Sequence, residues 1–297
     1  MKRVKVIFIA GAARSGSTLL ARILAQQPGF IDVGEMARIW DCGIRDDILC
    51  GCGKPFSQCE TWGRIMTVGF EGAENSNNDH LAQLYQSVRL LSFLRLALPG
   101  GQRALQNQWN ELAAGYEKLH LAVASATDSH VIVDTSKFPG YGYVLNLKSA
   151  LDVYVVHLVR DVRGVANSIK KHSKLRVERS SISWVSNNLF TELLFKRIRG
   201  RYLRLRYEDF VRRPEEAIDL ILRFTGEPSP ASPLVKDHVT VPLAQSHTMG
   251  GNLNRFITDS VTIQMDNEWK TELSWVEKAK LVFICWPLVL KYRYWQQ

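Results

Sequence analysis

Residues 4–24 read V-K-V-I-F-I-A-G-A-A-R-S-G-S-T-L-L-A-R-I-L, and this stretch decides the fold. Val4 to Ala10 is an apolar run rich in β-branched residues, the pattern of a parallel strand buried on both faces. It stops at Gly11. From Ser17 to Gln27 the apolar residues Leu19, Leu20, Ile23 and Leu24 recur at helical spacing, until Pro28-Gly29 ends the pattern. The turn between strand and helix is Gly11-Ala12-Ala13-Arg14-Ser15-Gly16-Ser17-Thr18. Small residues allow a tight turn, and the helix it opens begins with amides that lack intrahelical acceptors. Those amides and the helix dipole attract an anion. Arg14 adds a fixed cation with several donors, and Ser15, Ser17 and Thr18 add hydroxyls. Gly11 and Gly16 are spaced as in G-x-x-x-x-G-K-[ST], but Ser17 stands where that motif carries its lysine. The departure argues against ordinary ATP chemistry. The plain alternative is a turn of small residues chosen for packing, which gives no reason for Arg14.

Outward from this unit, strands alternate with helices. Val131 to Val133 and Val153 to Val159 read as buried strands, and Tyr202 to Tyr207 as a strand with alternating Arg. Helices are expected over 80–98, 102–126, 141–149, 162–171, 181–199, 214–225 and 275–291, with 42–63 irregular and 75–79 a polar loop. Such alternation predicts a three-layer α/β/α, P-loop-like fold around a central parallel sheet. With 297 residues, no repeats and no evident linker, one domain over 1–297 is the simplest organisation. Residues 40–130 are set apart as a mostly helical, acceptor-specific insertion, in which Trp40, Trp62, Phe70 and Trp109 either line a pocket or fill the core.

A second anion site is readable further along. Strand 153–159 ends in Arg160, and Ser168 follows eight residues later on the next helix. Open α/β sheets bind ligands at the C-terminal edge of their strands, where Arg160 and Ser168 can share one anion. Taken alone, Arg160-Asp161 is equally an ordinary salt-bridged strand end.

Together these segments resemble the PAPS-dependent sulfotransferase family, in the bacterial branch related to carbohydrate and tyrosylprotein sulfotransferases. The carrying motifs are A-A-R-S-G-S-T-L-L at 12–20, L-V-R-D-V-R-G-V-A-N-S at 158–168, P-G-F-I-D-V-G-E at 28–35, R-Y-E-D-F-V-R-R-P at 206–214 and H-T-M-G-G-N-L-N-R-F at 247–256. The resemblance implies 3′-phosphoadenylyl sulfate (PAPS) as donor and PAP as product. It implies that the first loop holds the 5′-phosphosulfate and that Arg160 and Ser168 hold the 3′-phosphate. Tyr207 then lines the adenine site, and Gly250, Asn252 and Arg255 belong to a loop that closes over the nucleotide.

Sulfuryl transfer to a hydroxyl needs a base, a cation beside the moving group, and donors for the departing phosphate. Glu35 is the expected base, with Asp32 and His247 as weaker alternatives. Lys137, at the end of Asp134-Thr135-Ser136-Lys137, and Arg14 are the expected catalytic cations. If these groups, Arg160 and the loop amides neutralise the charge, no divalent metal is required. Two other classes stay open: a P-loop-type nucleotide kinase or hydrolase, and a nucleotide-binding module without activity.

Bulk properties bound the rest. The net charge of +9 suits an anionic ligand. The basic residues are dispersed rather than clustered, which makes nucleic acid a poor partner. No run reaches a membrane span, although peripheral contact with a lipid surface stays open. A signal peptide would be cut within the functional loop, so a cytoplasmic location is expected. The acceptor is read only as a small-molecule, glycan or lipid hydroxyl. Of five cysteines, Cys42, Cys50, Cys52 and Cys59 cluster in sequence. Free thiols, a disulfide and a metal site all fit their spacing.

Overall fold

Side-chain alternation along the first strand builds both faces of the molecule. In the computed structural model, which describes residues 3–70, 76–88, 90–172, 177–196, 201–229 and 240–295, β1 (Val4–Ala10), β2 (Phe30–Gly34), β3 (Val131–Lys137), β4 (Leu151–Val159) and β5 (Tyr202–Arg206) form one parallel sheet. Its order is β2-β3-β1-β4-β5. Val6 and Phe8 of β1, with Val153 and Val155 of β4, point into one core beneath the helices Gly101–Thr127 and Pro139–Leu145. Ile7 and Ile9, with Val156 and Leu158, point into the other, beneath the helices Ser17–Leu24, Tyr207–Arg212 and Pro214–Thr225. Each such side chain, fully buried, contributes about 1.5–3 kcal/mol of transfer free energy. A sheet covered on both faces must be apolar at consecutive positions, which is why β1 reads as a continuous run.

Several local expectations differ from the structure, among them the single helix over 80–98, which is a helix ending at Ser87 and a 3-10 segment at Leu90–Ala97, and one alternative left open is decided by it. Ser76–Ser87 is a helix, so residues 76–79 of the expected loop form its first turn, while Asn75 lies outside the described residues. Ser, Asn and Asp are as much at home in a first helical turn as in a loop, and Leu81 and Ala82 anchor this helix in the core. Within 42–63, Ile39–Arg45 winds as a π-helix and a regular helix begins at Glu60. Tyr207 starts a helix instead of ending β5. Finally, Trp40, Trp62 and Trp109 are buried, and the Phe70 ring packs edge-on to Trp40 at 5.6 Å. These four aromatics belong to the core, not to an acceptor pocket.

The last helix, Trp275–Lys291, is two-sided. Leu281, Cys285, Leu288 and Val289 are buried, while Trp275, Phe283 and Trp286 are exposed. Among the described residues no helix is long and apolar enough to cross a membrane.

Candidate active site

The three central strands, β3, β1 and β4, deliver Lys137, the 11–16 loop and Arg160 to the same edge of the sheet. The loop leaves β1 at Gly11, whose φ is +134°, and a Cβ there would lie 2.3 Å from the Leu158 carbonyl oxygen. It enters the helix at Gly16, with φ +90°, where a Cβ would lie 2.7 Å from Cδ2 of Tyr207. Only glycine fits either place. Arg14 and Lys137 themselves have φ of 66° and 64°. A non-glycine residue in this region costs of order 1–3 kcal/mol, and such strain gathers where a site fixes its side chains.

A cavity of about 910 Å³ opens above this edge. Arg14, Gly16, Ser17, Thr18, Glu35, Lys137, Arg160, Ser168, Tyr207 and Asn252 all line it. Residues up to 257 positions apart in sequence (Gly11 to Glu268) are thus brought to one place. Arg14 donates from Nε to Ser168 Oγ at 2.9 Å and from Nη2 to His172 Nε2 at 2.9 Å. Arg160 donates from Nη1 to the Arg14 carbonyl at 2.9 Å and from Nη2 to Asp266 Oδ2 at 2.6 Å, and its guanidinium stacks 4.4 Å from the centre of the Tyr207 ring. Arg160 is therefore not paired with Asp161, whose carboxylate Arg163 engages at 2.5 Å. Burial and the neighbouring Arg160 charge both lower the pKa of Arg14. The two guanidinium groups concentrate positive charge at this edge of the sheet, which Asp266 partly offsets.

At the other side, Lys137 Nζ donates to Glu35 Oε1 at 2.6 Å and to the Thr135 carbonyl at 2.9 Å. The buried Asp134 shapes this corner. It accepts from Ser136 N at 2.8 Å and from the Tyr141 hydroxyl at 2.7 Å, while Ser136 Oγ accepts from Ala37 N at 2.9 Å. The β3 terminus is thereby tied to the turn that carries Glu35.

The 247–256 segment passes over both halves. Glu35 N donates to the Met249 carbonyl at 2.7 Å, and Gly34 bridges to Met249. A Cβ on Gly251 would sit 3.6 Å from Thr18 Oγ1, so the backbone there lies against the loop. Arg22 fastens this segment from below, donating to the carbonyls of Asn254 at 2.6 Å, Ala244 at 3.0 Å and Ile257 at 2.5 Å.

Three expected site residues are placed differently from the rest. Ser15 and Gly250 do not line the cavity, and neither does Arg255. Arg255 donates to the Gly251 carbonyl at 2.9 Å and to the Leu49 carbonyl at 3.3 Å, bracing the loop from behind. Of the alternative bases, Asp32 is buried and accepts from Gly34 N at 2.9 Å, outside the cavity lining. His247 also lies outside it, beside Cys50, Cys52 and Cys59. Conversely, the structure adds His172, Asp266, Asn187 and Glu268 to the lining. His172 had a signal, four residues after Ser168 on one helix face. Asp266 had none, since nothing in sequence ties it to Arg160.

A sequence profile of the sulfotransferase family matches residues 6–231. The chain belongs to the sulfotransferase family. A search of curated protein sequences finds no match. Among solved structures, this sulfotransferase is similar to the sulfotransferase domain from the curacin biosynthetic pathway, at 16% identity over 95% of this chain and 97% of that one, with a TM-score of 0.51. It is also similar to the sulfotransferase domain of the Synechococcus PCC 7002 olefin synthase, at 19% identity over 95% and 94%, TM-score 0.49. A third is retinol dehydratase in complex with androsterone and the inactive cofactor PAP, at 14% identity over 96% and 80%, TM-score 0.41. At such identities the likeness is one of fold, the P-loop-like α/β/α architecture.

Proposed function

We propose that this sulfotransferase moves a sulfuryl group from PAPS to an acceptor hydroxyl, releasing PAP. The observation that carries the reading is the pairing, in one cavity, of a Lys137–Glu35 ion pair with two separately anchored guanidinium groups, Arg14 and Arg160. A bis-phosphate nucleotide needs two anion sites, and the transferring group needs a base and a cation between them and the acceptor. In this reading the amides of the Ser17–Leu24 helix, Gly16, Ser17, Thr18 and Arg14 hold the 5′ end, while Ser15, outside the cavity lining, only shapes the turn. Arg160, with Ser168 and the Tyr207 ring, holds the 3′-phosphate. Asn252 and the Gly250–Gly251 turn form the cover, which Arg255 supports.

The acceptor oxygen forms its bond to sulfur as the bond from sulfur to the 5′-phosphate oxygen breaks. Glu35 takes the hydroxyl proton. Lys137 stands on Glu35 before donor binding and can turn to the bridging oxygen as negative charge grows there. A base so placed contributes about 10²–10⁴ in rate. Arg14, Lys137, Arg160 and the helix amides supply the positive charge, so the transfer is expected to run without added magnesium. The acceptor class is a hydroxyl of a glycan, a glycolipid or a natural product.

The test is calorimetric and kinetic together. Glu35→Gln and Lys137→Met should lose at least about 100-fold in turnover while binding PAP as the parent does. Turnover within a few-fold of the parent in both variants would remove Glu35 and Lys137 from the chemistry. Magnesium-dependent binding of ATP in preference to PAP would overturn the donor assignment itself. A panel of hydroxyl compounds, screened by mass for gain of a sulfate, identifies the acceptor.

A further inference from the structure

The cysteine-rich stretch 50–59 folds against His247, a residue almost two hundred positions later and outside the donor cavity. Cys50, Cys52 and Cys59 each present Sγ, and His247 presents a ring nitrogen, with all four atoms within 4.8 Å of one another. His247 Nδ1 lies 3.3 Å from Cys59 Sγ and 4.0 Å from Cys50 Sγ. Zinc bonds of about 2.3 Å to sulfur and 2.0–2.1 Å to nitrogen put tetrahedral ligand atoms about 3.5–3.8 Å apart. The observed separations bracket that figure. Cys42, the fourth cysteine of the sequence cluster, is not in the group.

The backbone holds these ligands independently of any metal. A tight turn at Cys50–Lys54, closed by Cys50 N to the Lys54 carbonyl at 2.8 Å and Gly53 N to the Cys50 carbonyl at 2.8 Å, turns two thiols to one side. Gly51 N donates to the Thr248 carbonyl at 2.9 Å, and Trp62 Nε1 donates to the His247 carbonyl at 2.8 Å, which fixes the segment carrying the histidine beside them. Cys50 and Cys59 are buried, whereas Cys52 and His247 are partly exposed and give an ion a way in. A disulfide would use two of the thiols and leave the third thiol and the imidazole converging without a purpose.

We infer that Cys50, Cys52, Cys59 and His247 form a structural Zn²⁺ site. Three thiolates and one imidazole in a compact tetrahedron suit a borderline-soft ion, and four protein ligands leave no open position for catalysis. The ion cross-links residues 50–59 to 247, closing a long loop of chain. Its leverage on the active site is direct. Two residues beyond His247, the Met249 carbonyl accepts from Glu35 N at 2.7 Å, and Gly251 and Asn252 line the donor cavity. The zinc thus clips the cover segment to the body of the protein, whatever the donor proves to be.

The test is metal analysis of the full chain expressed with zinc and desalted. The parent, Cys42→Ser and His247→Cys should each carry about one zinc per chain, and Cys59→Ser and His247→Ala less than about one-tenth of that. Cobalt reconstitution of the parent should give thiolate-to-cobalt charge transfer and the intense visible bands of a tetrahedral ion, with a shift in His247→Cys. Removing zinc with a chelator should lower the melting temperature, and readdition should restore it. The inference is overturned if the parent carries no stoichiometric metal, if mapping finds a disulfide among the three cysteines, or if Cys59→Ser keeps its full zinc. Should Cys59→Ser not fold, the cobalt spectra of the parent and His247→Cys decide the matter, and a spectrum without thiolate charge transfer counts against it.

Discussion

Replacing Arg160 by alanine should weaken PAP binding while leaving 5′-AMP binding nearly unchanged. The magnitude follows from what the guanidinium does in the free protein. Arg160 is nearly buried and already satisfied, by Asp266 at 2.6 Å and by the Arg14 carbonyl at 2.9 Å. An arriving 3′-phosphate therefore exchanges with the Asp266 carboxylate and does not fill an empty place. One charge-assisted hydrogen bond is worth about 1.5–3 kcal/mol, but the exchange returns only part of it, because the lost carboxylate bond is of the same kind. The phosphate gains from its larger charge and from the second nearby cation, Arg14. A net effect of about 2 kcal/mol, or roughly 30-fold in Kd, is the expected loss for PAP. AMP lacks the 3′-phosphate, so its loss should stay within about threefold and should report only the loosened Arg14 carbonyl. Titration calorimetry with both ligands on both proteins gives the coupling directly. Equal losses for PAP and AMP would refute the assignment of Arg160 to the 3′-phosphate, because its role would then be to hold the loop.

The same exchange predicts that Asp266→Asn, which keeps the shape but weakens the competitor, tightens PAP binding about fivefold without changing AMP. Unchanged PAP affinity would mean that Asp266 is no competitor. Gly16→Ala places a Cβ where Tyr207 Cδ2 is 2.7 Å away, on backbone at φ +90°. It should lower the melting temperature by a few degrees and PAP affinity by about tenfold or more, and a fully active, unshifted variant would contradict the loop geometry. Burial raises the Asp32 carboxyl to about 7, against the stabilising amide of Gly34 and the charge of Arg22. With the folded pKa above the unfolded one, its stabilising effect is complete only below about 4 and is lost as pH rises through about 7, a decline on the order of 3 kcal/mol between pH 5 and pH 8. Asp32→Asn should flatten that part of the stability–pH curve, as melting temperatures at pH 5 and pH 8 would reveal. An unaltered slope would show that Asp32 is not its source.

That the cavity-lining residues meet at one sheet edge is largely legible, because they sit where strands end. Arg14, Lys137 and Arg160 each follow an apolar run, and the edge of a parallel sheet gathers such positions without further information. Gly11 and Gly16 were legible as turn residues, and the distances to Leu158 and Tyr207 now give the steric reason for each. Less was legible where a side chain's partner comes from an unrelated stretch. The aromatic residues Trp40, Trp62 and Trp109 carry no mark in sequence of whether they fill a core or line a pocket. Tyr207 reads as the end of a strand, but it begins a helix and supports Arg160 from beneath. Arg255 reads as a ligand contact, yet its donors are directed at backbone carbonyls of the segment it serves.

The two-sided sheet, the glycine-bounded turn after β1 and the cations at the strand ends can be read from the chain alone, because periodicity and position along a strand are local properties. Tertiary structure alone decided the pairings: Arg160 with Asp266, Lys137 with Glu35, and three cysteines with His247 in place of Cys42. Those choices depend on which loops the packed layers bring within a few ångströms. A charge or a thiol finds its partner by distance in space, and separation along the chain carries almost none of that information.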